Sequence, residues 1–296
     1  MLTVATACDK KEAVARRLAS RPTVLFHVFG SAEDPRVIPV AFLDSGGPRT
    51  MDLSPDEWRT FDSLYTRGGD SLTIYSQGRV VGSARVQRGM WEGPAPLYTL
   101  PGCRSPLPQA SVRVAVDAPT GSVVEFLATS APLRSDTTLT SRPMALSPLA
   151  VTGLARELAA REAQAAGIPE AALDSLDYRA LAANTGSTRA PTLVASFVDP
   201  TGDDAGGRQV VRHIFVVADL VNGAWTPTYR SVHAKTTRED ALRRYVDRLD
   251  LTGDGVAEIV LDEWTLGGGS RPLVLRWKGG KWEEAWRGKP DWCVEK

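Results

Sequence analysis

Histidine and cysteine are scarce in this chain, with three of each among 296 residues. His27, His213 and His233 lie far apart, and none stands in the His-Glu-x-x-His spacing of a zinc-protease helix. Cys8, Cys103 and Cys293 are too widely spaced for a zinc finger or ribbon. The chain has no Gly-x-Ser-x-Gly elbow, no phosphate-binding loop and no dinucleotide fingerprint after a strand. A glycine run at 267–269 is not followed by a helical pattern, so it is not read as a phosphate cradle. A surplus of charge is lacking too. The 35 basic and 35 acidic residues balance, so composition predicts no nucleic-acid partner. No apolar run reaches the ~18 residues of a membrane-spanning helix. What remains, 43% apolar and 24% charged residues, is an ordinary globular composition.

Small apolar residues open the chain, in Leu2-Thr-Val-Ala-Thr-Ala-Cys8, and charge follows at once in Asp9-Lys-Lys-Glu12. This resembles the tail of a bacterial lipoprotein signal peptide. The resemblance implies a lipid on Cys8, the membrane as partner and an extracytoplasmic place in the cell envelope. A basic n-region is missing and the apolar part is short. A reading frame that begins upstream accounts for both gaps; a true start at Met1 would instead imply a cytoplasmic protein. With Cys8 lipidated, Cys103 and Cys293 form an even remainder in an oxidising compartment, and a disulfide between them is expected.

The pattern predicts an α+β, mainly β fold. Residues 1–22 read as the lipobox remnant and a tether. Residues 23–130 read as a small mixed β domain, a half-open barrel with one helix across its mouth. Its strands are expected at 24–29, 36–43, 71–76, 80–87, 111–116 and 122–129. Ser54-Pro-Asp-Glu57 carries the signature of a helix start, with a capping Ser54, Pro55 in the first turn and Glu57 able to reach back. Trp58, Phe61 and Tyr65 then fall on one face and are read as core. A linker is expected at 131–146. A C-terminal domain at 147–296 opens with a helix from Ser147 to about Ala166 and a shorter one near 170–176.

Near the C-terminus, Asp250-Leu-Thr-Gly-Asp-Gly-Val-Ala-Glu258 spaces oxygen-bearing side chains as a loop around a hard cation would. Gly255 suits the sharp turn this requires. The stretch resembles the FG-GAP/VCBS-type repeat of integrin-like β-propeller blades, matching it at Asp250, Asp254, Gly255 and Glu258 and departing from it at Thr252. The resemblance implies Ca²⁺ held by Asp250, Thr252, Asp254, the Val256 carbonyl and Glu258. An EF-hand is excluded, because Leu261 stands at the twelfth position.

The same order of landmarks occurs earlier. Thr185-Gly-Ser-Thr188 followed by Pro191-Thr-Leu-Val194 parallels Thr252-Gly-Asp-Gly255 followed by Ala257-Glu-Ile-Val260. Further on, Asn222-Gly-Ala-Trp225 parallels Gly279-Gly-Lys-Trp282. Two blade-like antiparallel β-meanders of three strands are expected, each with a lead-in helix. The second helix is predicted from a capping box at Thr236 and Glu239 and the apolar positions Ala241, Leu242, Tyr245, Val246 and Leu249. In the first copy Leu173, Leu176 and Leu181 serve as the lead-in. That copy places Ser187, Thr188 and Thr192 where the second has Asp254, Gly255 and Glu258, so only the second is expected to bind metal. Asp199, Asp203 and Asp204 are read as a solvated loop.

Two functional readings follow. One is a non-enzymatic envelope lipoprotein, a binding or structural module for a protein or glycan with a calcium-stabilised β-repeat domain. The other is an extracytoplasmic, hydrolase-like enzyme with its site between the two domains.

Overall fold

A computed structural model of the protein describes residues 20–90, 109–116, 121–133, 145–199, 211–237, 239–266 and 270–288. Cys8, Cys103 and Cys293 lie outside the described residues, as do residues 267–269 and all but Asp199 of the acidic loop after it. The protein is mostly β, in several antiparallel sheets, and it divides into two compact units between Arg134 and Ser135. No helix among the described residues is long and apolar enough to cross a membrane.

The N-terminal unit contains β1 (Thr23–Ser31), β2 (Pro35–Asp44), β3 (Gly47–Arg49), α1 (Pro55–Tyr65), β4 (Ser71–Ser76), β5 (Arg79–Arg88), β6 (Ala110–Ala115) and β7 (Val123–Thr129). The sheet runs β1-β7-β4-β5-β6-β2-β3, and β1 also pairs with β2, so six strands close a ring and β3 extends β2 outside it. The barrel is therefore closed rather than half-open. Its last seam is short: β2 meets β6 only through Arg36↔Ser111 and Val37↔Ala110. Alternation along the strands sends Val24, Phe26, Val28, Leu72, Ile74, Ala84 and Val86 into one core.

Helix α1 seals that core with the aromatic stripe read from its sequence. Phe61 is fully buried and lies 4.8 Å from Tyr65, 5.3 Å from Trp58, 6.2 Å from Phe42 and 6.3 Å from Phe26. The Ser54 amide donates to Glu57 Oε2 at 2.6 Å, as a capping box requires. At the other end Asp62 Oδ1 accepts from Thr66 Oγ1 at 2.5 Å and from the Met90 amide at 2.8 Å, which pins the helix to the exit of β5. Gly89 is needed there, because a Cβ would sit 2.9 Å from Asp62 Oδ1 and 3.0 Å from the Thr66 carbonyl. Truncating Phe61 to Ala leaves a cavity among four rings. The expected cost is about 3–5 kcal/mol, read as a lower denaturation midpoint with an unchanged slope.

The C-terminal unit begins with α2 (Pro148–Ala165) and a 3₁₀ turn (Glu170–Ser175). Eight strands follow: β8 (Asp177–Ala183), β9 (Thr192–Val198), β10 (His213–Val221), β11 (Ala224–His233), β12 (Leu242–Leu249), β13 (Glu258–Trp264), β14 (Ser270–Lys278) and β15 (Lys281–Arg287). They form two four-stranded antiparallel meanders, β8 to β11 and β12 to β15, each in chain order.

Two expectations are corrected here. Each meander has a fourth strand, β8 or β12, ahead of its loop. The helix expected over 236–249 is absent, and Leu242–Leu249 is strand β12, paired with β13. A β-bulge between Tyr245 and Asp247 explains the misreading. It shifts the alternation by one, so Leu242 and Leu249, seven apart, share a face with β13 partners Trp264 and Glu258. An apolar spacing of seven on one face imitates a helix. The supposed cap has other partners: Thr236 Oγ1 accepts from the Val211 amide at 2.9 Å, and the Thr237 amide donates to Asp240 Oδ2 at 2.6 Å.

The first sheet is covered on both faces, which is why β9 and β10 are nearly continuous apolar runs. Its Leu193, Ala195, Phe197, Ile214 and Val216 pack against Val151, Ala155, Leu158, Ala159 and Ala163 of α2, whose small residues allow close approach. Its other face packs Val194, Phe215 and Val217 against Ile259, Leu261, Leu273, Leu275 and Trp282 of the second sheet.

Candidate functional site

Both loops singled out in the sequence lie at one end of this sheet pair. In the second, Gly253 and Gly255 take φ values of +75° and +84°, the left-handed turn that favours glycine. Asp250 caps the turn: Oδ1 accepts from the amides of Gly253 (2.7 Å) and Asp254 (3.2 Å), and Oδ2 from that of Gly255 (3.0 Å). Asp254 Oδ1 accepts from the Val256 amide at 2.9 Å. Glu258 is buried; its Oε2 accepts from the Leu251 amide at 2.9 Å, and its Oε1 from Arg276 Nε at 2.9 Å and Thr252 Oγ1 at 3.3 Å. Burial raises the Glu258 carboxyl above its ordinary range, while the Leu251 amide and Arg276 pull it back. The two loops touch: the Ala257 amide donates to the Thr185 carbonyl at 2.7 Å, and Arg248 Nε to the Asn184 carbonyl at 2.8 Å.

The first loop is closed by hydroxyls and one acid. Thr185 Oγ1 lies 2.8 Å from both Ser187 Oγ and Thr192 Oγ1. Asp219, fully buried on β10, receives Thr192 Oγ1 at 2.7 Å and Ser187 Oγ at 3.2 Å on Oδ1. Its Oδ2 receives Thr228 Oγ1 at 2.5 Å and, from the second sheet, Trp282 Nε1 at 2.9 Å. Four donors thus converge on one carboxylate.

The two loops use the same positions. Thr192 and Glu258 are the first residues of β9 and β13; Asp219 and Arg276 are the seventh of β10 and β14. Each pair stands one step beyond a matched cross-strand pair, Leu193↔Ala218 in one sheet and Ile259↔Leu275 in the other. The acid has changed strand between copies.

A calcium ion needs six to eight oxygens within about 2.6 Å. Among the described residues no group of three or more His, Cys, Asp or Glu side chains is placed to hold a metal. Asp250 and Asp254 are turned onto amides of their own turn, and the buried Glu258 already carries a guanidinium. As arranged here, Asp250, Asp254 and Glu258 do not converge on one point as ligands of a calcium ion would.

A second polar cluster, at the other end of the sheet pair, escaped the sequence reading. Glu263, buried on β13, is surrounded by Arg271 Nε at 2.6 Å, Arg243 Nη2 at 3.3 Å and Arg287 Nη2 at 3.4 Å. Arg243 also donates to Ser231 Oγ and, at 3.0 Å, to Glu284 Oε1, and its Cζ stands 5.6 Å from the centre of the Tyr229 ring. Tyr229 O–H donates to the same Glu284 oxygen at 2.8 Å, and burial raises the phenol far above its ordinary range. His213 Nε2 lies 3.0 Å from the Arg243 carbonyl and 3.2 Å from its amide, so the ring joins β10 to β12. His213 Nδ1 is buried with no hydrogen-bond partner among the described residues. Burial lowers the imidazole to about 4, against the pull of the Arg243 carbonyl, so it is neutral at pH 7.

Ser231 Oγ lies 3.3 Å from His233 Nε2, the one contact here that resembles a nucleophile and its base. The serine oxygen accepts from Arg243, which ties it into the ion-pair cluster. No carboxylate among the described residues hydrogen-bonds to His233. The cluster joins strands β10 to β15, and no short spacing in the chain announces it. Compared with protein-family models, with curated proteins and with solved structures, the chain has no match in any of the three.

Proposed function

We propose that the protein is a non-catalytic module of the bacterial cell envelope, carried on a lipid at Cys8, whose C-terminal unit is a pair of blade-like β-repeats presenting a surface to a protein or glycan. The observation that carries this reading is the sense in which the sheets stack. Thr192 and Asp219 face the second sheet, whereas their counterparts Glu258 and Arg276 face away from the first, because Ile259, Leu261 and Leu275 fill the inner face. Likewise Trp225 packs toward α2, and its counterpart Trp282 packs toward the first sheet. Equivalent faces therefore point the same way, as in consecutive blades of a propeller, not toward each other as in a sandwich with a two-fold axis. Helix α2 stands where a preceding blade would.

The polar residues support a scaffold rather than a reaction centre: Asp219, Glu258 and Glu263 each hold strands or sheets together. Within the C-terminal unit, the contact that favours a hydrolase instead is Ser231–His233. Mass spectrometry of protein from the native host, after exposure to a fluorophosphonate, separates the two. The expected result is an acylated N-terminal Cys8, Cys103 joined to Cys293, and an unlabelled Ser231. A phosphonylated Ser231 would establish the hydrolase, and soluble protein retaining Met1 would remove the lipid anchor.

A further inference from the structure

We infer that the Arg276 guanidinium closes the 250–258 turn in the role a calcium ion was expected to fill, so that the turn is independent of metal. Glu258 is almost wholly buried, and a buried carboxylate needs a countercharge or it protonates. Arg276 supplies one at 2.9 Å on Glu258 Oε1. The guanidinium does not have to be recruited, because β14 holds it one residue beyond the Leu275↔Ile259 pair, directly across from Glu258. Backbone donors hold the carboxylates of the turn as well. The amides of Leu251, Gly253, Asp254, Gly255 and Val256 all donate to its carboxylates. A divalent ion at Glu258 would sit within reach of a fixed positive charge, which repels it.

The first loop arrives at the same end by the opposite route. There the strand position of Arg276 is held by Asp219, and hydroxyl and indole donors replace both metal and guanidinium. The inference rests on the hydrogen bonds of the turn and not on the functional reading above. Calcium binding by the wild type would overturn it and leave the non-catalytic reading in place.

The test is thermal melting of the full-length protein in millimolar calcium and in chelator, for the wild type and three variants. The wild-type curves are expected to superimpose within about 1 °C, since an ion that does not bind the native state cannot stabilise it. Arg276→Gln should melt several degrees lower, and adding Glu258→Gln should recover most of that loss by removing the stranded charge. Arg276→Lys keeps the charge and should fall between the wild type and Arg276→Gln; it carries the comparison if Arg276→Gln does not fold. A calcium-dependent rise of several degrees in the wild type would overturn the inference. So would a double variant no more stable than Arg276→Gln alone, or an Arg276→Lys no better than the glutamine.

Discussion

Replacing Asp219 with alanine is expected to cost more stability than any other single change in the C-terminal unit, roughly 4 kcal/mol or more. Four donors, from Ser187, Thr192, Thr228 and Trp282, share this one carboxylate; the hydroxyls retain weaker contacts with one another and with the Val217 carbonyl, and the Trp282 indole loses its acceptor. Hydrogen bonds to a charged group contribute about 1.5–3 kcal/mol each, and stranding buried donors adds their desolvation penalty. The sum is not additive, and the site will relax by admitting water. Asp219→Asn keeps one acceptor oxygen and should lose about half as much. Urea denaturation followed by tryptophan fluorescence reads both, because Trp282 is one of the four donors. A loss below about 1 kcal/mol in Asp219→Ala would mean that the donors find other partners at no cost.

The second large effect is a loss of stability on mild acidification. His213 is held at about 4 by burial, below its ordinary 6.5; the Arg243 carbonyl opposes this, and the charges of His233 and Arg243 add to it. A native state that binds the proton more weakly than the unfolded chain is destabilised wherever the unfolded chain is protonated. His213 therefore contributes its full share above pH 6.5. That share is lost as the pH falls from 6.5 to 4 and falls no further below. At 1.36 kcal/mol per pH unit the loss is about 3 kcal/mol. Carboxylates elsewhere begin to titrate at the lower edge of the window, so the informative quantity is the difference from His213→Gln. That variant should lose less stability than the wild type between pH 6.5 and 4, by roughly one bound proton. Parallel curves would show that His213 takes up its proton without opposition from the fold.

Much of the fold was legible because local signals and burial agreed. Trp58, Phe61 and Tyr65 lie where a helical stripe should, and alternation marks the barrel strands. The Gly-x-Trp turns before Trp225 and Trp282 mark the last hairpin of each meander. Strand β12 was not legible, since its bulge re-phases a period of two into an apolar spacing that a helix also produces. The closed barrel was not legible either, because its final seam rests on two residue pairs far apart in the chain.

The candidate sites divide in the same way. Asp250, Asp254, Gly255 and Glu258 announce a turn, and the turn is there. What closes it could not be read locally: Arg276 lies 18 residues beyond Glu258, and Asp219 lies 27 beyond Thr192. The Glu263–Arg243–Glu284 cluster gathers single residues from separate strands. Pairings across a sheet depend on register, and register is a tertiary property.

The most direct test of the stacked-repeat account is a double-mutant cycle on Asp219→Ala and Trp282→Phe, which join one sheet to the other through a single hydrogen bond. Unfolding free energies of the wild type, the two single variants and the double variant give the coupling between them. A coupling of about 1–3 kcal/mol is expected, since the indole N–H donates to a buried charged acceptor. Losses that simply add, within about 0.5 kcal/mol, would contradict it.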